Sequence, residues 1–88
     1  MSDKETLLTF PCKFPLKVMG IHHDAFEDNI LIIARKHIAN LQRDAVQSRL
    51  SKTGKYLAIT ITFQAESRAQ LDDLYRELSA HHDVRMVL

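Results

Sequence analysis

Two short segments rich in histidine are the part of this 88-residue sequence that could carry chemistry. Residues 22–24 and residues 81–83 both read His-His-Asp, which places two imidazoles beside a carboxylate in each segment. Imidazole changes protonation near neutral pH and binds transition metals, and a carboxylate can complete a ligand set. Adjacent side chains on an extended segment point apart, so each pair would offer one histidine ligand. This spacing matches no recognised metal motif, so a metal site stays an alternative hypothesis, and we assign no metal ligand or cofactor from the sequence.

A small anionic effector is the ligand that the same residues favour. Lys52 and Lys55 lie in a predicted turn, and Asp24 begins a predicted helix whose free backbone amides would attract an anion. Protonated histidines would add positive charge. If the fold brings these segments together, the effector site would consist of Gly20, His22, His23, Asp24, Lys52, Lys55, His81 and His82. The plain alternative is that these are solvated loop residues.

No residue pattern points to catalysis. The sequence lacks a glycine-rich phosphate loop and a nucleophile elbow, and no carboxylate pair has the setting that acid–base chemistry needs. Cys12 is the only cysteine and has no base-and-orienter arrangement near it, while His37 lies on the apolar stripe of a predicted helix. We therefore predict that the protein is not an enzyme.

The composition indicates one globular domain. The chain is 45% hydrophobic and 26% charged, with a net charge of +1. Such a small charge argues against nucleic acid or a membrane surface as a partner. The sequence shows no signal peptide and no apolar run long enough to span a bilayer, and its lone cysteine fits a reducing, cytoplasmic location. We divide the chain into an extended arm, residues 1–13, and a single domain, residues 14–88.

The strongest structural signal is the alternation of residues 56–63. One side of this stretch carries Leu57, Ile59, Ile61 and Phe63. A period of two with one apolar side predicts a central strand that has helices on a single side. A more polar strand at residues 46–50 should precede it at the sheet edge, across a hairpin turn in which Gly54 adopts a positive φ.

Two capping-box patterns mark where the helices should begin. Asp24 is followed three residues later by Glu27, and the first helix should run to about Ala39. Ser67 is followed by Gln70 in the same way. Both helices carry apolar residues at spacings of three and four, so each should pack one side against the sheet.

With further strands at residues 16–21 and 84–88, the order is strand, helix, strand, strand, helix, strand. Right-handed crossovers then predict an α+β, ferredoxin-like βαββαβ sandwich. Its four-stranded antiparallel sheet should have the strand order 4-1-3-2, with both helices on one face. The first strand would end beside the start of the fourth strand and beside the hairpin turn, which would gather the effector-site residues.

The sheet face without helices is a second candidate site. We expect it to carry Lys17, Met19, Arg49, Tyr56, Ala58, Thr60, Arg85 and Val87. A mixed apolar and polar face suits self-association or a protein partner. RNA-binding domains of this topology stack bases on aromatic residues of the two central strands, and Tyr56 alone would be available here. RNA binding is therefore the less favoured alternative.

The chain also resembles a known family along nearly its whole length. The resemblance rests on Phe10-Pro, Lys17-Val-Met-Gly20, the hairpin from Ser51 to Tyr56, Leu74-Tyr75 and Val84-Arg-Met-Val-Leu88. These features look like the YbeD-like family of small uncharacterised bacterial proteins. The resemblance implies a ferredoxin-like fold similar to ACT regulatory domains, which bind small effectors and form dimers. It brings no catalytic residues with it.

This chain departs from the family pattern at Thr53, where the family tends to place a lysine, and at the His22-His23 pair. Residues and resemblance together predict a non-catalytic, ACT-like regulatory or binding domain. It would bind a small effector at the histidine-bearing end of the sheet and form a homodimer or contact a protein partner. The alternative is an adaptor that binds a protein through the helix-free face or an edge strand without any ligand.

Overall fold

A long antiparallel pair, β1 with β3, forms the middle of the sheet in the computed structural model, which describes residues 9–88. The helices are α1 and α2, and a single 3-10 turn at Arg43–Ala45 precedes β2. The element bounds are β1 Cys12–Ile21, α1 Phe26–His37, β2 Val46–Leu50, β3 Tyr56–Ala65, α2 Arg68–Ala80 and β4 Val84–Val87. Neither helix in this part of the chain is long and apolar enough to cross a membrane.

The sheet has the predicted ferredoxin-like topology. Its strand order is β2-β3-β1-β4, and every neighbouring pair is antiparallel. This is the 4-1-3-2 order read from the opposite edge, and both helices cover one face. The prediction of a βαββαβ sandwich with β2 at an edge is confirmed.

The core lies between that face and the two helices. The alternating residues of β3 point into it as predicted, and the neighbouring strand supplies Leu16 opposite Ile61 and Val18 opposite Ile59. The helices contribute the fully buried Phe26, Ile30, Leu74 and Leu78. Each such aliphatic or aromatic side chain contributes roughly 1.5–3 kcal/mol when it is removed from water. The buried residues of β1, α1, β3 and α2 form one continuous cluster, and β2 and β4 pack against it through partly buried valines.

β1 begins at Cys12, four residues earlier than predicted, because Pro15 is tolerated inside it. The Lys17 amide donates to the Leu88 carbonyl on the β4 side, so the nitrogen of Pro15, two residues earlier, faces the same side. In the described chain β4 does not extend that far, so no hydrogen bond is lost there. Residues 12 and 13 of the predicted arm thus belong to the sheet, and residues 1–8 lie outside the described residues.

The start of α1 differs from the prediction. Its N-cap residue is Ala25, which has no side chain able to cap, and Asp24 makes no capping bond. The first turn is held instead by His23, whose carbonyl accepts from the Phe26 amide at 3.0 Å and whose Nδ1 accepts from the Ala25 amide at 3.3 Å. The capping-box prediction is wrong here because the chain leaves β1 in a tight turn that puts Ala25 at the cap position.

Side-chain capping and backbone conformation explain the start of α2, the end of α1 and the hairpin turn. Ser67 caps α2 as predicted, and its Oγ accepts from the Gln70 amide at 3.1 Å. α1 ends at His37 rather than Ala39, because Ile38 turns to extended backbone and is buried in the core. Gly54 has a φ of 78° in the hairpin turn, which confirms the prediction of a positive value.

Candidate functional site

The end of the sheet that bears the histidines is formed by three chain segments. The Ile21 amide donates to the Asp83 carbonyl at 2.9 Å, which ties the end of β1 to the start of β4. The His22 amide donates to the Lys55 carbonyl at 2.8 Å, which ties the same segment to the hairpin turn. We call the group of His22, His23, Lys55, His81, His82 and Asp83 the histidine end. The predicted meeting of these segments is therefore present in the structure.

Asp83 is the centre of this group. Its Oδ2 lies 2.6 Å from His23 Nε2 and 3.5 Å from His82 Nε2. The hydrogen bond from His23 lowers the pKa of the Asp83 carboxyl below its ordinary value, and the nearby histidines add to the effect. Asp83 is accordingly held as a carboxylate among imidazoles.

The aromatic ring of Phe26 supports the histidines from the core side. Its centroid lies 6.1 Å from that of His23 and 6.4 Å from that of His81, and both contacts are edge-on. His81 stacks on His82 with the ring centroids 4.9 Å apart and an interplanar angle of 12°. His81, His82 and Asp83 can present ligand atoms within 4.8 Å of one another, which is the kind of cluster that could hold a metal ion.

Gly20, a member of the predicted effector site, lies beneath the surface rather than on it. It is buried in β1, where an added Cβ would lie 2.5 Å from the Asp83 carbonyl oxygen and would overlap the Phe26 ring. A glycine is needed here because backbone and ring approach so closely. Gly20 therefore lets β1 pack closely against Asp83 and Phe26, and this packing positions the histidine end.

The other predicted effector-site residues lie on the surface around this group. Asp24 and Lys52 are exposed, as are the side chains of His22 and Lys55. The structure brings His22 and Lys55 together through their backbones. Of the predicted set, His23, His81 and His82 are the side chains that gather around Asp83, a residue that the sequence suggested only as a completing ligand.

A second charged group joins the two helices. Glu77 of α2 accepts from Lys36 Nζ at 2.6 Å and pairs with His37 Nε2 at 2.8 Å. The hydrogen bonds from Lys36 and from His37 lower the pKa of the Glu77 carboxyl. His37 is part-buried, as the sequence predicted, and Gln70 Nε2 donates to its carbonyl at 2.7 Å. No sequence pattern links residues this far apart, so Glu77 was not predicted.

The second candidate site is the helix-free side of the sheet. We define the free sheet face by the strand residues that alternate with the core: Lys13, Pro15, Lys17, Met19, Ile21, Gln47, Arg49, Tyr56, Ala58, Thr60, Thr62, Gln64, Met86 and Leu88. The predicted Lys17, Met19, Arg49 and Tyr56 all lie on it. Its charged side chains are all basic, and none of the residues in this definition is acidic.

A shift of register in β4 changes which C-terminal residues reach this face. Val87 pairs with Val18 and points to the core, whereas Met86 pairs with Met19 on the free sheet face. The prediction for Val87 is wrong because Arg85 is an extra residue of β4 between the pairs at Met19 and Gly20.

Arg85 itself is turned away from the centre of the face. Its Nη1 donates to the His82 carbonyl at 2.9 Å, which places the guanidinium at the histidine end. The predicted position of Arg85 among the interaction residues is corrected accordingly.

The free sheet face is apolar where β1, β3 and β4 meet. Met19, Tyr56, Met86 and Leu88 are 39%, 40%, 49% and 62% exposed. An open groove of about 570 Å³ crosses the same face, and its lining includes Lys17, Met19, Arg49, Ala58 and Leu88. This arrangement offers a partner both apolar contact and positive charge.

Comparison with known proteins places the chain among small bacterial proteins. A family model described as "Protein of unknown function (DUF493)" matches residues 5–88. A UPF0250 protein of Chromobacterium violaceum is 46% identical over the whole of both chains. One from Leptothrix cholodnii is 47% identical over 97% of this chain and 93% of its own. One from Neisseria gonorrhoeae is 41% identical over 98% of this chain and 94% of its own.

A solved structure supports the fold. The solution structure of protein HP0495 from H. pylori superposes with a TM-score of 0.72 over 100% of this chain and 93% of that one, at 13% sequence identity. At a sequence identity this low, the superposition supports a shared fold and nothing more. The resemblance to a family of small bacterial proteins that the sequence suggested is confirmed, and this chain belongs to the DUF493 family, whose members are also named UPF0250.

Proposed function

We propose that this protein is a non-catalytic binding domain whose free sheet face takes an acidic protein partner. The observation that carries the proposal is the composition of that face, on which exposed apolar side chains lie among basic ones with no acidic residue. The proposal corresponds to the adaptor alternative of the sequence analysis.

The apolar residues supply the contact area. Met19 lies opposite both Met86 and Ala58, so these three residues form a continuous strip across β4, β1 and β3. Leu88 extends it, because its backbone pairs with Lys17 in both directions, at 3.0 Å and 2.8 Å. Contiguous exposed apolar surface marks interaction sites, and methionine side chains adapt readily to the shape of a partner.

The charges select the kind of partner. Lys17 and Arg49 flank the apolar strip and Lys13 lies further along β1, although the chain as a whole has 12 basic and 11 acidic residues. Among residues 9–88, no acidic residue lies on a strand, and the acidic residues there belong to the helices, the 3-10 turn and the loops. Two copies that met through this face would bring like charges together at low dielectric, which costs binding free energy. A surface with acidic and apolar residues is complementary to it.

The described hydrogen bonds of His23 and His37 are made with carboxylates and with the backbone. His23 Nε2 and His37 Nε2 both pair with carboxylates, and His23 Nδ1 accepts from a backbone amide. In these pairs neither imidazole contacts a hydroxyl or thiol that it could activate as a nucleophile.

A defined probe tests the proposal. We would titrate the ¹⁵N-labelled full chain with an amphipathic helical peptide built from Glu and Leu, and with a matched peptide built from Lys and Leu. Amide shifts should map to β1, β3 and β4 with the Glu peptide and should weaken as salt is added. The Lys peptide should bind far more weakly.

Charge reversal provides the matched control. Lys17→Glu should weaken binding of the Glu peptide, whereas Arg35→Glu changes the net charge equally on the exposed side of α1 and should leave binding unchanged. Equal weakening by both variants, or shifts confined to other surfaces, would overturn the proposal. Tighter binding of a single-stranded RNA that depends on Tyr56 would favour the RNA alternative, and a mass that rises with concentration would favour a homodimer.

A small anionic effector at the histidine end is the second candidate. It is favoured by the position of Lys55 beside the two histidine segments, which the His22–Lys55 and Ile21–Asp83 backbone hydrogen bonds maintain. A ligand that binds the native state raises its stability by RT ln(1 + [L]/Kd). A thermal-shift screen with phosphorylated and carboxylated metabolites tests it, and an identical response of the His22→Ala, His82→Ala variant would rule it out.

A further inference from the structure

We propose that the histidine end is a binding site for a divalent transition-metal ion, with ligands from His23, His81, His82 and Asp83. The site is separate from the free sheet face, and its test does not depend on a protein partner. The sequence assigned no metal ligand because the two segments are unconnected by any motif, whereas the structure puts His23 and Asp83, 60 positions apart, in direct contact.

The distances fit a small ion. Zinc binds histidine nitrogen at about 2.0–2.1 Å, so two ligand atoms of a tetrahedral site lie about 3.3 Å apart. His82 Nε2 and Asp83 Oδ2 are already 3.5 Å apart. His23 Nε2 is closer to the same oxygen, at 2.6 Å, because a proton lies between them. For Nε2 to bind the ion, this proton would leave Nε2, and Nδ1 would become protonated and give up the hydrogen bond that it accepts from the Ala25 amide. The two ligand atoms would then move apart to the coordination distance.

The backbone of the site is held in place, while its side chains can rotate. The Val84 amide donates to the His81 carbonyl at 3.0 Å, and the Asp83 carbonyl accepts from Ile21. The His82 side chain is 86% exposed, so small rotations suffice to bring its nitrogen into line. His81 would exchange the 3.2 Å hydrogen bond that its Nδ1 accepts from the Asp83 amide for a bond to the metal.

The donor set selects the class of metal. Imidazole nitrogen suits zinc, nickel, cobalt and copper, whereas magnesium and calcium prefer sites made only of oxygen. Three imidazoles and one carboxylate are thus suited to a borderline divalent ion.

Zinc titration of the untagged full chain tests the proposal. Affinity would be measured by competition with a chromophoric chelator, with one ion expected per chain. His82→Ala and His23→Ala should each weaken zinc binding by at least about tenfold, as loss of a contributing ligand does. His22→Ala is the matched control, because it removes a histidine of the histidine end that is not one of the four proposed ligands, and it should leave the zinc affinity unchanged.

Two further measurements keep the test decisive. Circular dichroism checks that each variant is folded, and long-range ¹H–¹⁵N spectra of the imidazoles should show zinc-dependent shifts for His23, His81 and His82 while His37 stays unchanged. Zinc binding that His22→Ala weakens as much as His82→Ala, or an absence of one-to-one binding in the parent protein, would overturn the proposal.

Discussion

Gly20 shows how one residue without a side chain sets the geometry of the histidine end. The Asp83 carbonyl and the Phe26 ring both occupy the space where a Cβ would lie. The Phe26 ring in turn makes edge-on contacts with the rings of His23 and His81. The positions of the candidate ligands therefore depend on a buried residue that binds nothing itself.

Gly20→Ala should destabilise the protein by about 1–3 kcal/mol, because the added methyl group overpacks the contact between β1, β4 and α1. Urea denaturation measures the loss, and imidazole NMR shifts of His23 and His81 should change with it. Gly54→Ala is the control, since its cost comes from backbone strain at a φ of 78° in open space and should leave the histidine shifts alone. Unchanged stability and unchanged shifts in Gly20→Ala would contradict this account.

Glu77 should make stability depend on acid pH. Its pKa is lowered in the folded state by Lys36 and His37, so the unfolded chain binds a proton more readily. The Glu77 carboxylate contributes fully to the stability of the folded state above the ordinary glutamate pKa of about 4.3. That contribution is lost as the pH falls through the lowered pKa of Glu77 in the folded state.

Glu77→Gln should therefore lower the free energy of unfolding at neutral pH. It should also make that free energy decrease less steeply as the pH is lowered, which urea denaturation across pH 2–7 measures. Lys36→Met removes one of the two donors to Glu77 and should reduce the acid-side decrease in the free energy of unfolding by a smaller amount. If the parent and Glu77→Gln lose stability in parallel, the carboxylate is not responsible.

At the scale of elements, the two helices start by different means. α2 begins with a side-chain cap at Ser67, and Gln70 Oε1 accepts from the Glu66 amide at 2.7 Å, one residue before the cap. α1 has Ala25 at its N-cap position, without a side-chain cap, and its first turn is held by His23 of the preceding turn. The start of α1 is thus part of the histidine end, whereas the start of α2 is independent of it.

Ser67→Ala should destabilise the protein by about 0.5–2 kcal/mol, because the Gln70 amide loses its acceptor. Asp24→Ala should change stability by no more than about 0.5 kcal/mol, since the Asp24 carboxylate caps nothing. Thermal and urea unfolding of the two variants side by side checks both values. A larger loss in Asp24→Ala than in Ser67→Ala would restore the capping box that the sequence suggested.

At the scale of the whole molecule, apolar residues and charges are distributed unequally between the two sides of the sheet. One side is covered by helices that carry many of the acidic residues, and the buried residues there form a single cluster. The other side is left open, with exposed methionines and basic side chains. The near-neutral total charge of the chain does not reveal the basic character of the open side.

Because the core is one cluster, unfolding should be a single transition. Ile59→Ala should cost about 2–5 kcal/mol without splitting that transition, as the removed atoms are fully buried in β3. Ile32→Ala makes the same chemical change at a position that is 57% exposed on α1 and should cost no more than about 0.5 kcal/mol. Calorimetry of both variants measures the difference, and comparable losses at the two sites would argue against this description of the core.

The sequence by itself determined the elements and their order. The alternation of β3, the Ser67 cap and the positive φ of Gly54 all depend on a few neighbouring residues, so they could be predicted without knowing the fold. Topological rules then led from the order of elements to the strand order of the sheet. That was enough to bring the two histidine segments to one end.

Only the tertiary structure decided which side chains contact one another and to which side of the sheet each side chain points. The extra residue Arg85 in β4 turns Met86 outward and Val87 inward, and no local pattern signals that change. Likewise, Asp83 lies between His23 and His82 because its backbone rests against Gly20 and Ile21. Such contacts arise from packing between distant segments, whose geometry is set by the shape of the core rather than by adjacent residues.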